Sequence, residues 1–127
     1  MKNLLLLPLI AISLMATAQT TLIPDANFEQ ALINLGYDNV IDGEVLTANI
    51  SGITSLYVLA LNISDLTGIE DFTALTVLNC NDNQLTSIDV TQNTALTELS
   101  CASNQLTSID VTQNTALTEL SCASNQL

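Results

Sequence analysis

Leu85 to Gln105 reads LTSIDVTQNTALTELSCASNQ, and Leu106 to Gln126 repeats it without one change. A period of 21 residues is far longer than any helix or strand pattern and fits one coil of a stacked solenoid, in which each unit buries its apolar face only against its neighbours. Working outward, Leu75 to Ala95 reads LTVLNCNDNQLTSIDVTQNTA, and Leu56 to Ala74 is a shorter, diverged unit, LYVLALNISDLTGIEDFTA. Leu117 to Leu127 begins another unit and stops partway. The repeats therefore occupy residues 51–127, with units near 56–74, 75–95, 96–116 and 117–127. The last unit lacks a covering coil, which suggests a fragment of a longer product or end-to-end self-association at Leu127.

Written in register, the units become Leu75-x-x-Leu78-x-Cys80-x-x-Asn83-x-Leu85, Leu96-x-x-Leu99-x-Cys101-x-x-Asn104-x-Leu106 and Leu117-x-x-Leu120-x-Cys122-x-x-Asn125-x-Leu127. This resembles the leucine-rich repeat pattern L-x-x-L-x-[LC]-x-x-N-x-L. The diverged unit aligns through Leu56, Leu59, Leu61 and Leu66, with Ser64 where Asn is expected. The segment ISDLTGIEDFTALTVLNC is similar to the short repeats of internalin-like bacterial proteins. The whole layout resembles secreted leucine-rich repeat proteins of Bacteroidetes. The resemblance implies an α/β repeat fold, a solenoid with short parallel strands on its concave face, and protein or ligand binding rather than catalysis.

Such strands stack about 4.8 Å apart, so identical residues form ladders. The Leu positions, joined by Ile88, Ile109, Val90, Val111, Ala95 and Ala116, are expected in the core. Asn83, Asn104 and Asn125 sit where the chain leaves each strand, and a side-chain amide there can satisfy backbone groups of its own and the adjacent coil. Cys80, Cys101 and Cys122 invite a disulfide reading in an exported protein, but their number is odd and their position is the inward one. Stacked Cβ atoms about 4.8 Å apart also exceed the separation a bridge prefers, so buried free thiols are the favoured reading. Three collinear thiols without His do not make a zinc site.

The outward positions define the candidate binding face: Tyr57 and Val58, then Val77 and Asn79, then Glu98 and Ser100, then Glu119 and Ser121. That face passes from apolar to acidic and suits a protein or glycan partner with basic or hydrogen-bonding groups. Glu98 and Glu119 are the one paired-carboxylate arrangement to weigh for glycan cleavage. Their spacing follows from stacking, and both occupy the same repeat environment, whereas acid and base roles need different ones. No catalytic residue is assigned.

Upstream, Asp25 is placed to cap a helix carrying Phe28, Leu32 and Leu35, and Gly36 to stop it in the left-handed region. Residues 19–50 read as an N-terminal helical cap. The Asp38-to-Asn49 loop fails the calcium pattern at its third and twelfth positions, Val40 and Asn49, so no metal and no cofactor is expected. Residues 1–18 have a basic start, an apolar run from Leu4 to Met15, and Ala16-Thr17-Ala18, which together predict a secretory signal cleaved before Gln19. Secretion or cell-surface display follows, without membrane insertion after cleavage.

The whole chain has 127 residues, thirteen acids, one base (Lys2) and no His, for a net charge of −12. Removal of the signal takes away the only basic side chain. Nucleic acid is thus a poor partner, and mechanisms that need imidazole, an amine or a guanidinium are excluded. A structural or adhesive spacer built from near-identical units is the alternative reading.

Overall fold

The computed structural model describes residues 8, 10–12 and 16–127, so the export signal read at residues 1–18 falls largely outside the described residues. Among the described residues, no helix is long and apolar enough to cross a membrane.

Among the described residues the first element is strand β1 (Thr20–Leu22), paired antiparallel with β2 (Glu44–Leu46), Thr20 lying opposite Leu46. Between them runs helix α1 (Ala26–Asn34). Asp25 starts this helix because its Oδ1 accepts the otherwise unpaired N–H groups of Asn27 and Phe28, at 2.9 and 3.1 Å. Gly36 ends it at φ +83°, where the Gly36 N–H donates to the Ile33 carbonyl and the Tyr37 N–H to the Leu32 carbonyl. Only a residue at ease in the left-handed region closes that pair of bonds cheaply. A one-turn helix, α2 (Thr47–Ile50), then leads into the repeats.

Strands β3 (Ser55–Tyr57), β4 (Val77–Asn79), β5 (Glu98–Ser100) and β6 (Glu119–Ser121) form a parallel sheet in chain order. Leu56, Leu78, Leu99 and Leu120 stand in register. The return path of the first coil contains one 3-10 turn, Ile69–Asp71. Alternation carries Cys80 and Cys101, two residues after Leu78 and Leu99, to the inner side, where both are fully buried. Two residues beyond each Cys position, and opposite it in the first coil, the backbone takes positive φ at Ala60, Asp82, Ser103 and Ser124, all between 54° and 56°. None of these is glycine, so each bend is held against a cost of about 1–2 kcal/mol.

One core runs the length of the stack. Ile23, Phe28, Leu32, Val45 and Ile50 from the N-terminal segment join Leu56, Ile69, Phe72, Leu75, Leu85, Leu96 and Leu106 from the coils. The Phe28 and Phe72 rings stack across the junction with centroids 6.3 Å apart. Each such side chain removed from water contributes about 1.5–3 kcal/mol, which the isolated coil could not obtain.

The first coil departs from the sequence reading. Leu56 pairs with Leu78, not with a residue near Leu75, so the pattern begins at Ile53 and runs through Leu56, Val58, Leu61 and Ile63. Val58 therefore occupies the Cys position and is fully buried, whereas an outward orientation was expected. Leu59 and Leu61, expected inside, are 44% and 38% exposed. The physical reason is length. Twenty-two residues separate Leu56 from its partner Leu78, against 21 between later coils, and Leu56-x-x-Leu59-x-Leu61 mimics the consensus in residue type while three residues out of register.

Candidate functional site

The uncovered face of the sheet carries two rows of side chains. The first is Ser55, Val77, Glu98 and Glu119, and the second is Tyr57, Asn79, Ser100 and Ser121. Strand alternation points them away from the Leu ladder, and Tyr57, Glu98 and Glu119 are exposed. Of the eight residues expected on this face, seven lie there and Val58 does not. Adjacent Thr hydroxyls are already committed: Thr76 donates to the Thr54 carbonyl at 3.0 Å, Thr97 to Thr76 at 3.1 Å and Thr118 to Thr97 at 3.2 Å. The polar chemistry left for a ligand is two carboxylates, three serine hydroxyls, an asparagine and a phenol.

Behind this face the backbone is closed by asparagine amides. Asn83 Oδ1 accepts from the Leu61 and Ile63 N–H groups of the preceding coil, and its Nδ2 donates to the Val58 and Cys80 carbonyls at 2.8 and 3.1 Å. Asn104 bridges Cys80 and Cys101 in the same way, and Asn125 bridges Cys101 and Cys122. An amide suits this position because it both donates and accepts. A second amide ladder went unread in the sequence. Asn93 and Asn114 are buried in the return segment, where Asn93 Nδ2 donates to Ile69 and Phe72 carbonyls and Asn114 Nδ2 to Val90 and Asn93 carbonyls. The 21-residue recurrence of Asn could have revealed it, but the first coil holds Phe72 there and breaks the series.

The thiols are free: Cys80 and Cys101 are buried and Cys122 is half-buried. Burial, reinforced by the neighbouring Cys101, pushes the Cys80 thiol up to about 12, and burial with Cys122 alongside pushes Cys101 up to about 11. Both are neutral at physiological pH and act as small apolar groups that also stack. Among the described residues, no group of three or more His, Cys, Asp and Glu side chains is arranged to hold a metal ion.

The return side repeats a different motif. Asp65, Asp89 and Asp110 each accept from the hydroxyl and N–H of the Thr two residues on. These bonds from Thr91 and Thr112 hold the Asp89 and Asp110 carboxyls below their ordinary value. The acids are tied into turns rather than gathered into a site.

The chain is similar in fold to solved bacterial repeat structures. The functional domain of InlJ from Listeria monocytogenes, which includes a cysteine ladder, aligns at TM-score 0.75 and 38% identity, covering 87% of this chain and 25% of that one. The fold is an internalin-like leucine-rich repeat. Internalin InlF of the same species aligns at TM-score 0.76 and 28% identity, over 82% of this chain and 31% of that one. Internalin C2, also from Listeria monocytogenes, aligns at TM-score 0.51 and 17% identity over 87% of this chain and 72% of its own, a likeness of fold alone. The internalin-like chain thus spans about a quarter to a third of the length of the first two internalin structures. No family model and no curated protein matches it.

Proposed function

We propose that this chain is an exported leucine-rich repeat module that binds a protein or glycan through the concave face of β3–β6. Residues 19–50 serve as its helical cap. The observation that carries the reading is the contrast between the two faces of one sheet. Its inner face is sealed from β3 to β5 by buried Leu, Val58 and Cys side chains, while the outer rows from Tyr57 to Glu119 lie open. Solenoids use such extended surfaces for recognition. Catalysis is not part of the proposal, because Glu98 and Glu119 are register neighbours with no third group to differentiate them.

The test is site-specific cross-linking in the producing cell, with a photoreactive phenylalanine analogue replacing Ser100 in one version of the full-length protein and Asp110 in another. Adducts from position 100 and not from position 110 are expected. Adducts from position 110 alone, or equal yields, overturn the concave-face reading. The identity of residues 85–105 and 106–126 favours a second reading, a spacer array. Under that reading, deleting one 21-residue unit changes reach without abolishing any adduct. The intact mass of the exported protein tests cleavage before Gln19.

A further inference from the structure

We infer that Tyr57 and Leu59, with Val77 beside them, form an apolar anchor at the first coil, and that the segment seated across them and the Glu98–Glu119 pair is an extended basic stretch of a partner protein. The inference rests on the concave-face reading and adds the chemistry of the occupant.

The anchor was hidden by the misread register. Tyr57 is 56% exposed, Leu59 44% and Leu61 38%. The parallel ladder continues past β3, with the Val58 N–H donating to the Asn79 carbonyl and the Ala60 N–H to the Asn81 carbonyl. Tyr57 and Leu59 are therefore alternate residues on one side of an extended segment, which bends at Ala60 before Leu61. Val77, half-buried in the row next to Tyr57, widens the patch. In the later coils the positions of Leu59 hold Asn81, Ala102 and Ala123, and those of Leu61 hold Asn83, Asn104 and Asn125. A scattered surface leucine needs no explanation. Two large apolar side chains at i and i+2, where every later coil is small or polar, together with Val77 alongside, mark a place where water is to be displaced.

Charge chooses the occupant. Glu98 and Glu119 lie two and three strands from Tyr57, about 10–14 Å at the strand spacing. Lys2 is the sole basic residue, so residues 19–127 contain no cation that could pair with these carboxylates. A second copy brings the same anionic surface and is repelled. The complementary segment carries one large apolar side chain and, three or four residues along at about 3.3 Å per residue, Lys or Arg. The thirteen acids of the chain add attraction at long range, which salt screens.

The test uses the full-length protein and fluorescein-labelled ten-residue peptides in a Gly-Ser background. The probe has one Leu with Lys at the third and fourth positions beyond it, and two controls replace the Leu by Ser or both Lys by Gln. Anisotropy should show the probe binding at least tenfold more tightly than either control, with affinity falling as salt rises. Leu59→Ser, with an unchanged urea midpoint, and the pair Glu98→Gln with Glu119→Gln should each weaken binding at least fivefold, while Asp110→Asn leaves it unchanged. If the Glu variants weaken binding but Leu59→Ser does not, the anchor is overturned and the concave face stands. If Asp110→Asn weakens binding as much as the Glu variants do, attraction is non-specific and the inference falls. If only Asp110→Asn weakens it, the inference and the concave-face reading fall together. Absence of binding by the probe also overturns the inference.

Discussion

The repeats from Leu75 onward and the N-terminal segment solve one problem with different chemistry. Both must pair backbone groups where the chain turns out of regular structure. The repeats use Asn83, Asn104 and Asn125, whose amides donate and accept at once and hold no charge. The N-terminal segment uses carboxylates. Glu29, fully buried, accepts from the Asp42 and Gly43 N–H groups at 2.9 and 2.8 Å. Asp71 of the first coil ties that segment on by accepting from the Thr21 hydroxyl at 2.6 Å. Asp25 uses both oxygens, one for the start of α1 and the other for the Ser64 N–H and hydroxyl and the Asp65 N–H of the first coil. An amide can stack in a periodic ladder without repulsion, whereas like charges directly opposite one another destabilise a sheet. Within the periodic coils the buried ladder positions accordingly hold amides, while the carboxylates, Glu98 beside Glu119 in the sheet among them, stay exposed.

The largest test removes an amide from the periodic region. Asn83→Ala strands the Leu61 and Ile63 N–H groups together with the Val58 and Cys80 carbonyls, and should cost about 3–5 kcal/mol in urea unfolding, at one to three for each buried unpaired group with partial relaxation. A loss below 1 kcal/mol would show that the ladder is ornamental. Gly68→Ala attacks the junction. Gly68 sits at φ +106°, and an added Cβ would meet the Ile23 side chain and come within 2.7 Å of the Leu22 carbonyl. About 2–4 kcal/mol is expected, from left-handed strain plus overpacking, with hydrogen exchange rising first in β1 and α1.

Asp25→Asn sharpens the acid contrast. Burial works against the Asp25 charge, but the bonds from Ser64, Phe28 and Asp65 outweigh it and hold the carboxyl below 3.8. A depressed carboxyl stabilises the fold fully above its unfolded value and loses that contribution as pH falls through the folded value. The wild type should thus be more stable than Asp25→Asn at neutral pH, and the gap should close below pH 3.8. A gap independent of pH would mean that the capping bonds do not need the charge. The smallest effect belongs to Thr91→Val, which removes the hydroxyl bond to exposed Asp89. Stability should change by less than about 0.5 kcal/mol, while NMR titration shows the Asp89 carboxyl returning toward its ordinary value.

The same contrast explains what could be read in advance. Leu78, Leu99, Cys80, Cys101 and the Asn ladder were legible because three aligned copies over-determine their positions. The outward rows Val77/Glu98/Glu119 and Asn79/Ser100/Ser121 followed from strand alternation once that register was fixed. The first coil has no twin. Two registers of apolar residues fit it equally by type, and only the pairing of Leu56 with Leu78 separates them, which is how Val58 was turned outward and Leu59 and Leu61 inward. The carboxylate clamps of Asp71 and Glu29 were invisible for a related reason. Their partners lie 50 and 13–14 residues away in segments that recur nowhere else.

The coil-on-coil arrangement has a mechanical consequence. The bonds between β3, β4, β5 and β6 point from one coil to the next, so a pull along the stack loads every interface in series, and the outermost coil, held by one neighbour instead of two, yields first. Each coil that yields releases 21 residues, a lengthening of about 70 Å at full extension. Under tension the array should pay out in equal steps, absorbing work one coil at a time while the junction around Phe28 and Phe72 stays closed to the last.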